Sequence, residues 1–559
     1  MIKSFMNRYK TSELFRHIFW ITIVYVLAQG LLLIVSGLWW DDWVVESMDW
    51  GDRIAHAIRQ GVPLRAYINA SLRFLPDDTG KILVFIYFYI GSLLAYTIMK
   101  KIDAFSSEAA FWITLLYITI PINDARILWC CYDYAVALFL FWISFWLVTL
   151  WQGGGKTGKK SVALRVLSLV ILVFSYYTDS IMFMTLVILL YLYYEKLRKE
   201  WKWGETRANI MVCFKTVLHY MDFLLVPVVY YFVKNIFFPS DGISRYLDWQ
   251  AVPGLIPFTP IYAWETMIDL LLNYIFALLN HTVLIMLAVT VICYLLVSYM
   301  CWHKKTIKIE TDVLLRDAVI MFLVGIFCFF VGFFPYAIFY KGAFETTGTT
   351  GRLSLLLGIG VAMIFYYLAD IVFRREIRKM MLVLCIVLGV CHFNLMYLDW
   401  QASYYQELRF QAEIAENQNI LNNDTFLYLD YYQVFYVLNA ISYVTTGDES
   451  RLYLSIDSLS TLADMYPVAL FRMREWDYSP ENRHLDGILL FNDAPISNSE
   501  LIKLKFEELF DKDAFNRYIS ETKDITFIPV TEEESDVIIK AAQEGTLTRD
   551  NIFDYVGAY

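Results

Sequence analysis

The feature that most constrains this chain is a long series of apolar runs cut apart by short clusters of lysine and arginine. The runs fall at roughly 17–38, 81–99, 109–122, 134–151, 164–175, 181–194, 217–237, 280–301, 317–335, 353–372 and 380–398. A helix needs about 20 apolar residues to cross a hydrocarbon layer about 30 Å thick, because each residue advances the axis by about 1.5 Å. Lipid offers backbone amides no partner, so such a run must close its own hydrogen bonds as a helix. The expected fold is therefore a polytopic α-helical membrane protein with about 11 transmembrane helices. The chain's 58% apolar content, 18% of residues being aromatic, exceeds what a water-soluble core requires.

The cationic clusters give the crossings a direction. Lys100/Lys101, Lys156/Lys159/Lys160, Lys196/Arg198/Lys199/Lys202, Lys304/Lys305/Lys308 and Arg374/Arg375/Arg378/Lys379 occupy every second loop, which marks the cytoplasmic face. Lys3, Arg8, Lys10 and Arg16 precede the first run, which lacks a small-x-small cleavage site and reads as an uncleaved span with a cytoplasmic N-terminus. Segments 152–162 and 195–216 are both basic, so the chain between them crosses twice or re-enters, turning at Ser175–Ser180. By the same reasoning 109–151 crosses twice around Asn123-Asp124-Ala125-Arg126. An odd number of spans places the C-terminus outside the plasma membrane.

From Gln401 onward there are 28 acidic and 12 basic residues, a net −16 within a chain of formal charge −10, leaving +6 before that point. The pattern changes there too. Strand-like runs at Thr425–Leu429, Arg451–Leu454, Gly487–Phe491 and Ile525–Pro529 alternate with helical segments at Asn498–Phe510 and Thr531–Gln543. The expected organisation is a membrane domain over 1–399 followed by an extracytoplasmic α/β domain over 400–559. Neither half has the basic surface that nucleic acid requires. The eight cysteines all lie in or beside apolar runs and read as small hydrophobes, not as disulfides.

Where the first run ends stands Trp39-Trp40-Asp41-Asp42-Trp43. Two ionised carboxylates are too costly to hold in hydrocarbon, so they mark the outer boundary, with the tryptophans as headgroup-level anchors. They open a long first outer loop, 39–80, in which Met48–Ile58 has the spacing of an in-plane amphipathic helix; Ile261–Leu279 is a second candidate. A later outer loop, 336–352, carries Lys341, three glycines among threonines, and Arg352, a composition suited to a mobile flap.

Outside the membrane there is no ATP, and group transfer there needs a donor already carried across. A polyprenyl-phosphate sugar meets that need, with the bilayer itself as a second partner. The reaction requires a base for the acceptor hydroxyl and cations for the departing phosphate. Asp41 or Asp42 supplies the first, and Arg352, Lys341 and Arg126 are candidates for the second, with Asp124, Asp179 and His56 as possible substrate contacts. Blander roles compete: the aspartates stopping the span from sliding, Arg352 as an anchor, Arg126 neutralised by Asp124 or Asp133, Asp179 as a turn residue, His56 as a surface residue. Asp41 with Asp42 could hold a hard divalent ion through carboxylate oxygens, but two ligands without a third make a poor site, so transfer without metal or other cofactor is expected and a divalent metal is the alternative.

With Asp41 and Asp42 just after the first span, in-plane helices in the same loop, spans of unequal length and a C-terminal extracytoplasmic domain, the chain resembles the GT-C superfamily of membrane glycosyltransferases. The resemblance implies inverting transfer from a lipid-phosphate-linked sugar to a glycan, lipid or protein acceptor. It also implies an acidic base in this loop, Asp41 or Asp42, and a lipid-phosphate-binding cation in a late outer loop, for which Arg352 fits. A transporter or flippase of lipid-linked saccharides is the alternative; the absence of repeated halves and the polar residues at the boundary favour the enzyme.

Overall fold

The computed structural model describes the chain apart from residues 1–8, 10, 36, 60, 72–78, 154–157, 202–205, 240–251, 280–290, 293–314, 341, 431–434, 449–450, 461–483, 492–495, 509, 512, 522–524 and 557–559. The protein divides into two compact units, Met1–Ile34 with Ala57–Tyr397, and Val35–His56 with Leu398–Tyr559. The change of composition near 400 lies close to one of these divisions. Nothing in the composition announces the other, which gives the stretch after the first span to the C-terminal unit.

The first unit is that of a multi-pass membrane protein. Among the described residues, seven helical segments are long and apolar enough to cross: Glu13–Leu33, Thr79–Lys101, Trp129–Gly153, Asp179–Glu200, Leu315–Ala337, Thr349–Val372 and Ile377–Glu416. The pair Asn209–His219 and Met221–Phe237, bent by 46°, makes an eighth if it is one span. The difference from eleven has identifiable sources. Run 109–122 forms a helix of 13 residues, Ser107–Thr119, and run 164–175 one of 17, Lys159–Ser175. Both fall short of a full crossing of about 20 residues. Run 217–237 is the second arm of the bent pair, and 280–301 lies outside the described residues except for 291 and 292.

Ion pairs tie the helices together at two ends. At the lysine- and arginine-bearing end, Arg165 forks onto Asp222 with two bonds of 2.7 Å, and Arg198 meets Asp103 at 2.5 Å. At the other end, Arg65 meets Asp133 at 2.5 Å, Lys234 pairs with Asp179, and Ser180 shares a 2.8 Å hydrogen bond with Tyr336. The alternation of basic and non-basic loops is thus a physical polarity of the bundle. Between the ends the packing is close. A Cβ on Gly360 would strike the backbone of Phe329 on the neighbouring helix Leu315–Tyr340, the kind of approach that small residues permit in membranes. Val162, Phe232, Ile236 and Leu323 are more than half exposed, as a lipid-facing surface requires.

The second unit is a small α/β fold. Strands β1 (Thr425–Leu429), β2 (Leu452–Leu454), β3 (Gly487–Phe491) and β4 (Ile525–Pro529) form one sheet in the order β2-β1-β3-β4. β1 runs parallel to β2 and β3, and β4 closes the edge antiparallel to β3. The period-2 alternation of strand side chains builds two cores. Phe426, Tyr428, Tyr453 and Leu489 pack on one face with Val437, Ile441 and Phe410, and with Trp43, Val44 and Met48 from the early stretch. Leu427, Leu429, Leu454 and Ile488 pack on the other with Ile538 and Ala542 of the helix Glu532–Gln543, whose start is closed by a Thr531/Glu534 capping box.

Candidate functional site

In the first unit, the site begins from a turn. Asn123 adopts a left-handed conformation, φ 57°, which asparagine tolerates better than most residues, and a short 3₁₀ turn follows over Asp124–Ile127. The turn is held from outside. The Asn123 N–H donates to Ser354 Oγ at 2.8 Å, and a Cβ on Gly351 would stand 3.0 Å from the Asp124 nitrogen, so only glycine lets the two segments meet. Asp124 and Arg126 are thereby brought beside the 3₁₀ segment Thr349–Leu357 that carries Arg352.

Arg126 is not neutralised by a carboxylate among the described residues. Asp133 pairs with Arg65 instead, and Asp124 with His392 Nε2 at 3.2 Å. The two structural pairings that the sequence spacing offers for Arg126 are therefore not formed. Its guanidinium is aimed by backbone carbonyls, Nε to Asn123 O at 2.9 Å and Nη2 to Ile122 O at 2.6 Å. It lies 4.4 Å from the Phe393 ring centroid and 5.0 Å from that of Phe88. Half-buried between two rings, a cation so placed keeps its charge largely available to an anion.

A second polar group lies at the same end of the unit. Asp133, fully buried, holds Arg65, and the Tyr177 hydroxyl donates to the Asp133 backbone carbonyl. Burial works against the charge on Arg65; Asp133 beside it, with Tyr134, outweighs this, and the net shift of its pKa is upward. Asp179 is engaged by Lys234 rather than left as a turn residue alone. Arg352 is half-buried, donates to Thr349 O at 2.7 Å, and lies within electrostatic reach of Tyr134 and Tyr336.

The loop expected to be a mobile flap is pinned in its described part. Thr346 is fully buried; its N–H and hydroxyl both donate to Asp269, at 2.8 and 2.7 Å, and Asn273 donates to its hydroxyl. Asp269 and Asn273 stand one turn apart on the helix Thr259–Leu279, which includes the second stretch read as an in-plane helix. Lys341 lies outside the described residues, and so does the side chain of His56, whose backbone belongs to the helix Trp50–Arg59.

Asp41 and Asp42 belong to the second unit and open the helix Asp41–Ser47. Asp42 is fully buried and accepts the Trp39 N–H at 3.3 Å, while Asp41 is half-buried. Two of the three tryptophans expected at headgroup level are instead core residues. Trp39 is buried and donates to Trp400 O at 2.5 Å; Trp43 is buried and donates to Glu407 Oε2 at 2.7 Å. Indole N–H groups that find such acceptors behave as buried rather than interfacial tryptophan. Trp40 enters the helix at φ 51°, a strained conformation for so large a residue.

Sequence reading missed Arg65, Asp133, Lys234 and His392 as members of these groups. Lys234 carried a usable signal, being a lone cation in a stretch otherwise poor in charge; Arg65, one of several arginines in its loop, and His392 carried none, since a single histidine in an apolar run is most often packing. Among the described residues, no three His, Cys, Asp or Glu side chains are arranged to hold a metal ion.

No family model matches the chain, and no curated protein matches it. Among solved structures there are similar ones. One is the Archaeoglobus fulgidus oligosaccharyltransferase in complex with zinc and sulfate, at 11% identity and a TM-score of 0.37 over 84% of this chain and 67% of that one. The same organism's AglB, with an inhibitory peptide and a dolichol-phosphate, gives 10% identity and 0.37 over 90% and 71%. ArnT from Cupriavidus metallidurans, bound to undecaprenyl phosphate, gives 9% and 0.34 over 84% and 92%. Likeness at this level names no subfamily and assigns no activity.

Proposed function

We propose that this protein is a membrane glycosyltransferase that takes a sugar from a polyprenyl phosphate and passes it, with inversion, to an acceptor at the outer face of the plasma membrane. The observation that carries the reading is Arg126: a guanidinium without a carboxylate partner among the described residues, aimed by two carbonyls and framed by two rings, at the non-basic end of the bundle. An anion whose tail is apolar suits such a place, and Arg352 on the adjoining segment adds a second positive charge. Lys341 remains a third candidate cation, and Asp124, Asp179 and His56 remain candidate substrate contacts.

In this reading the acceptor oxygen attacks the anomeric carbon, the bond from that carbon to the phosphate oxygen breaks, and the electron pair leaves with the lipid phosphate. The acceptor's proton passes to a carboxylate, which we assign to Asp41. Asp42 is fully buried, while Asp41 is half-buried and so nearer to an incoming acceptor. The acceptor is a glycan, lipid or protein, the N-terminus is cytoplasmic and the acidic C-terminal unit extracytoplasmic; neither metal nor cofactor is required. The direct test of the anion site is binding of a polyprenyl phosphate to purified protein. Arg126→Ala is expected to weaken it by roughly 10-fold or more, the worth of one charge-assisted hydrogen bond of about 1.5–3 kcal/mol. Unchanged affinity in that variant removes Arg126 from the site.

A further inference from the structure

His392 sits on the long helix Arg375–Glu416, its side chain 12% exposed, with Nε2 on the Asp124 carboxylate at 3.2 Å. Nδ1 makes no hydrogen bond among the described residues. A carboxylate that fixes one imidazole nitrogen while the other stays open is the arrangement by which a histidine is oriented and its charged form stabilised for proton transfer. The neighbouring residue, Phe393, is the ring against which Arg126 lies at 4.4 Å, and Arg126 is two residues from Asp124. Asp124, Arg126, His392 and Phe393 thus form one group. Other titratable groups near it among the described residues are the hydroxyls of Tyr397, which is within electrostatic reach of Asp124 and Arg126 and bonds to Gln29, and of Tyr25 and Tyr117, both within reach of Arg126.

We infer that His392 is a catalytic acid, donating from its open nitrogen to the lipid phosphate as it departs, with Asp124 as its positioning counter-charge rather than a substrate ligand; this rests on the glycosyl-transfer reading above. When the bond from anomeric carbon to phosphate oxygen breaks and the electron pair settles on that oxygen, the imidazolium proton passes to it. The acceptor's own proton goes to the carboxylate base, and water restores the imidazolium. Arg126 supplies fixed charge to the phosphate and His392 a proton.

The test is the affinity of purified full-length protein for a short-chain polyprenyl phosphate at pH 6 and pH 8.5, in the native chain, Arg126→Ala, His392→Gln and Asp124→Asn. The phosphate itself titrates, so the quantity read is the ratio of native to His392→Gln affinity at each pH. That ratio is expected to be about 10 at pH 6. Asp124→Asn, a variant that spares the helix, is expected to weaken binding less than His392→Gln does. Weakening by Arg126→Ala with a ratio near 1 at both pH values overturns the role of His392 and leaves the transferase reading standing. Absence of binding by the native chain at both pH values overturns both.

Discussion

At the scale of single residues, the two adjacent aspartates are chemically distinct. Asp42 is buried and caps the Trp39 N–H, so Asp42→Asn is expected to lower unfolding stability by about 1–3 kcal/mol, the cost of disturbing a buried charged acceptor. Asp41→Asn is expected to leave the thermal midpoint within about 2 °C and to reduce turnover by roughly 10²–10⁴-fold, the usual worth of a positioned general base. Unfolding curves and turnover measured on the same preparations separate the two; a thermal loss for Asp41→Asn with activity retained would assign the roles the other way. Sequence could flag the pair because carboxylates beside a span are rare. It could not say which was buried, since that depends on how the Trp39 backbone and its neighbours pack. Arg126 shows the same limit. Helical spacing offers it Asp133, but the chain there is a 3₁₀ turn, and the partner of Asp133 is Arg65, 68 residues earlier.

Among the elements, helices and strands were readable where their period was strong. The four strand-like runs at 425–429, 451–454, 487–491 and 525–529 all contain strands of the sheet, because β-branched and aromatic alternation between turn signals has few other readings. The short apolar runs at 109–122 and 164–175 were counted as crossings from the loop charges around them, but they form helices of 13 and 17 residues, Ser107–Thr119 and Lys159–Ser175. What sequence did not yield is contact between elements: that Trp39 and Trp43 are core residues, or that Thr346 is held by Asp269. Contact also sets the cost of substitution at Gly360. Gly360→Leu must drive the helix Gly358–Val372 away from Phe329, and a loss of about 1–3 kcal/mol or more, read as reduced thermal stability in detergent, is expected. Wild-type stability in that variant would show that the two helices pack less closely than described.

For the whole molecule, the two-ended bundle is the claim on which location rests. In a cysteine-free background, Lys160→Cys at the basic end is expected to react with an impermeant maleimide only after permeabilisation, and Thr350→Cys at the other end in intact cells. The opposite pattern would invert the protein in the membrane. The acceptor's identity was not legible, because no residue pattern on the chain encodes a sugar. Function itself is tested most directly by mixing purified protein with a panel of radiolabelled polyprenyl-phosphate sugars and acceptor glycans, and following release of the lipid phosphate. Native protein is expected to release it in step with labelled acceptor, and Asp41→Asn to release none above background. Label that crosses a vesicle wall still attached to its lipid, or no release from any donor, would contradict the account.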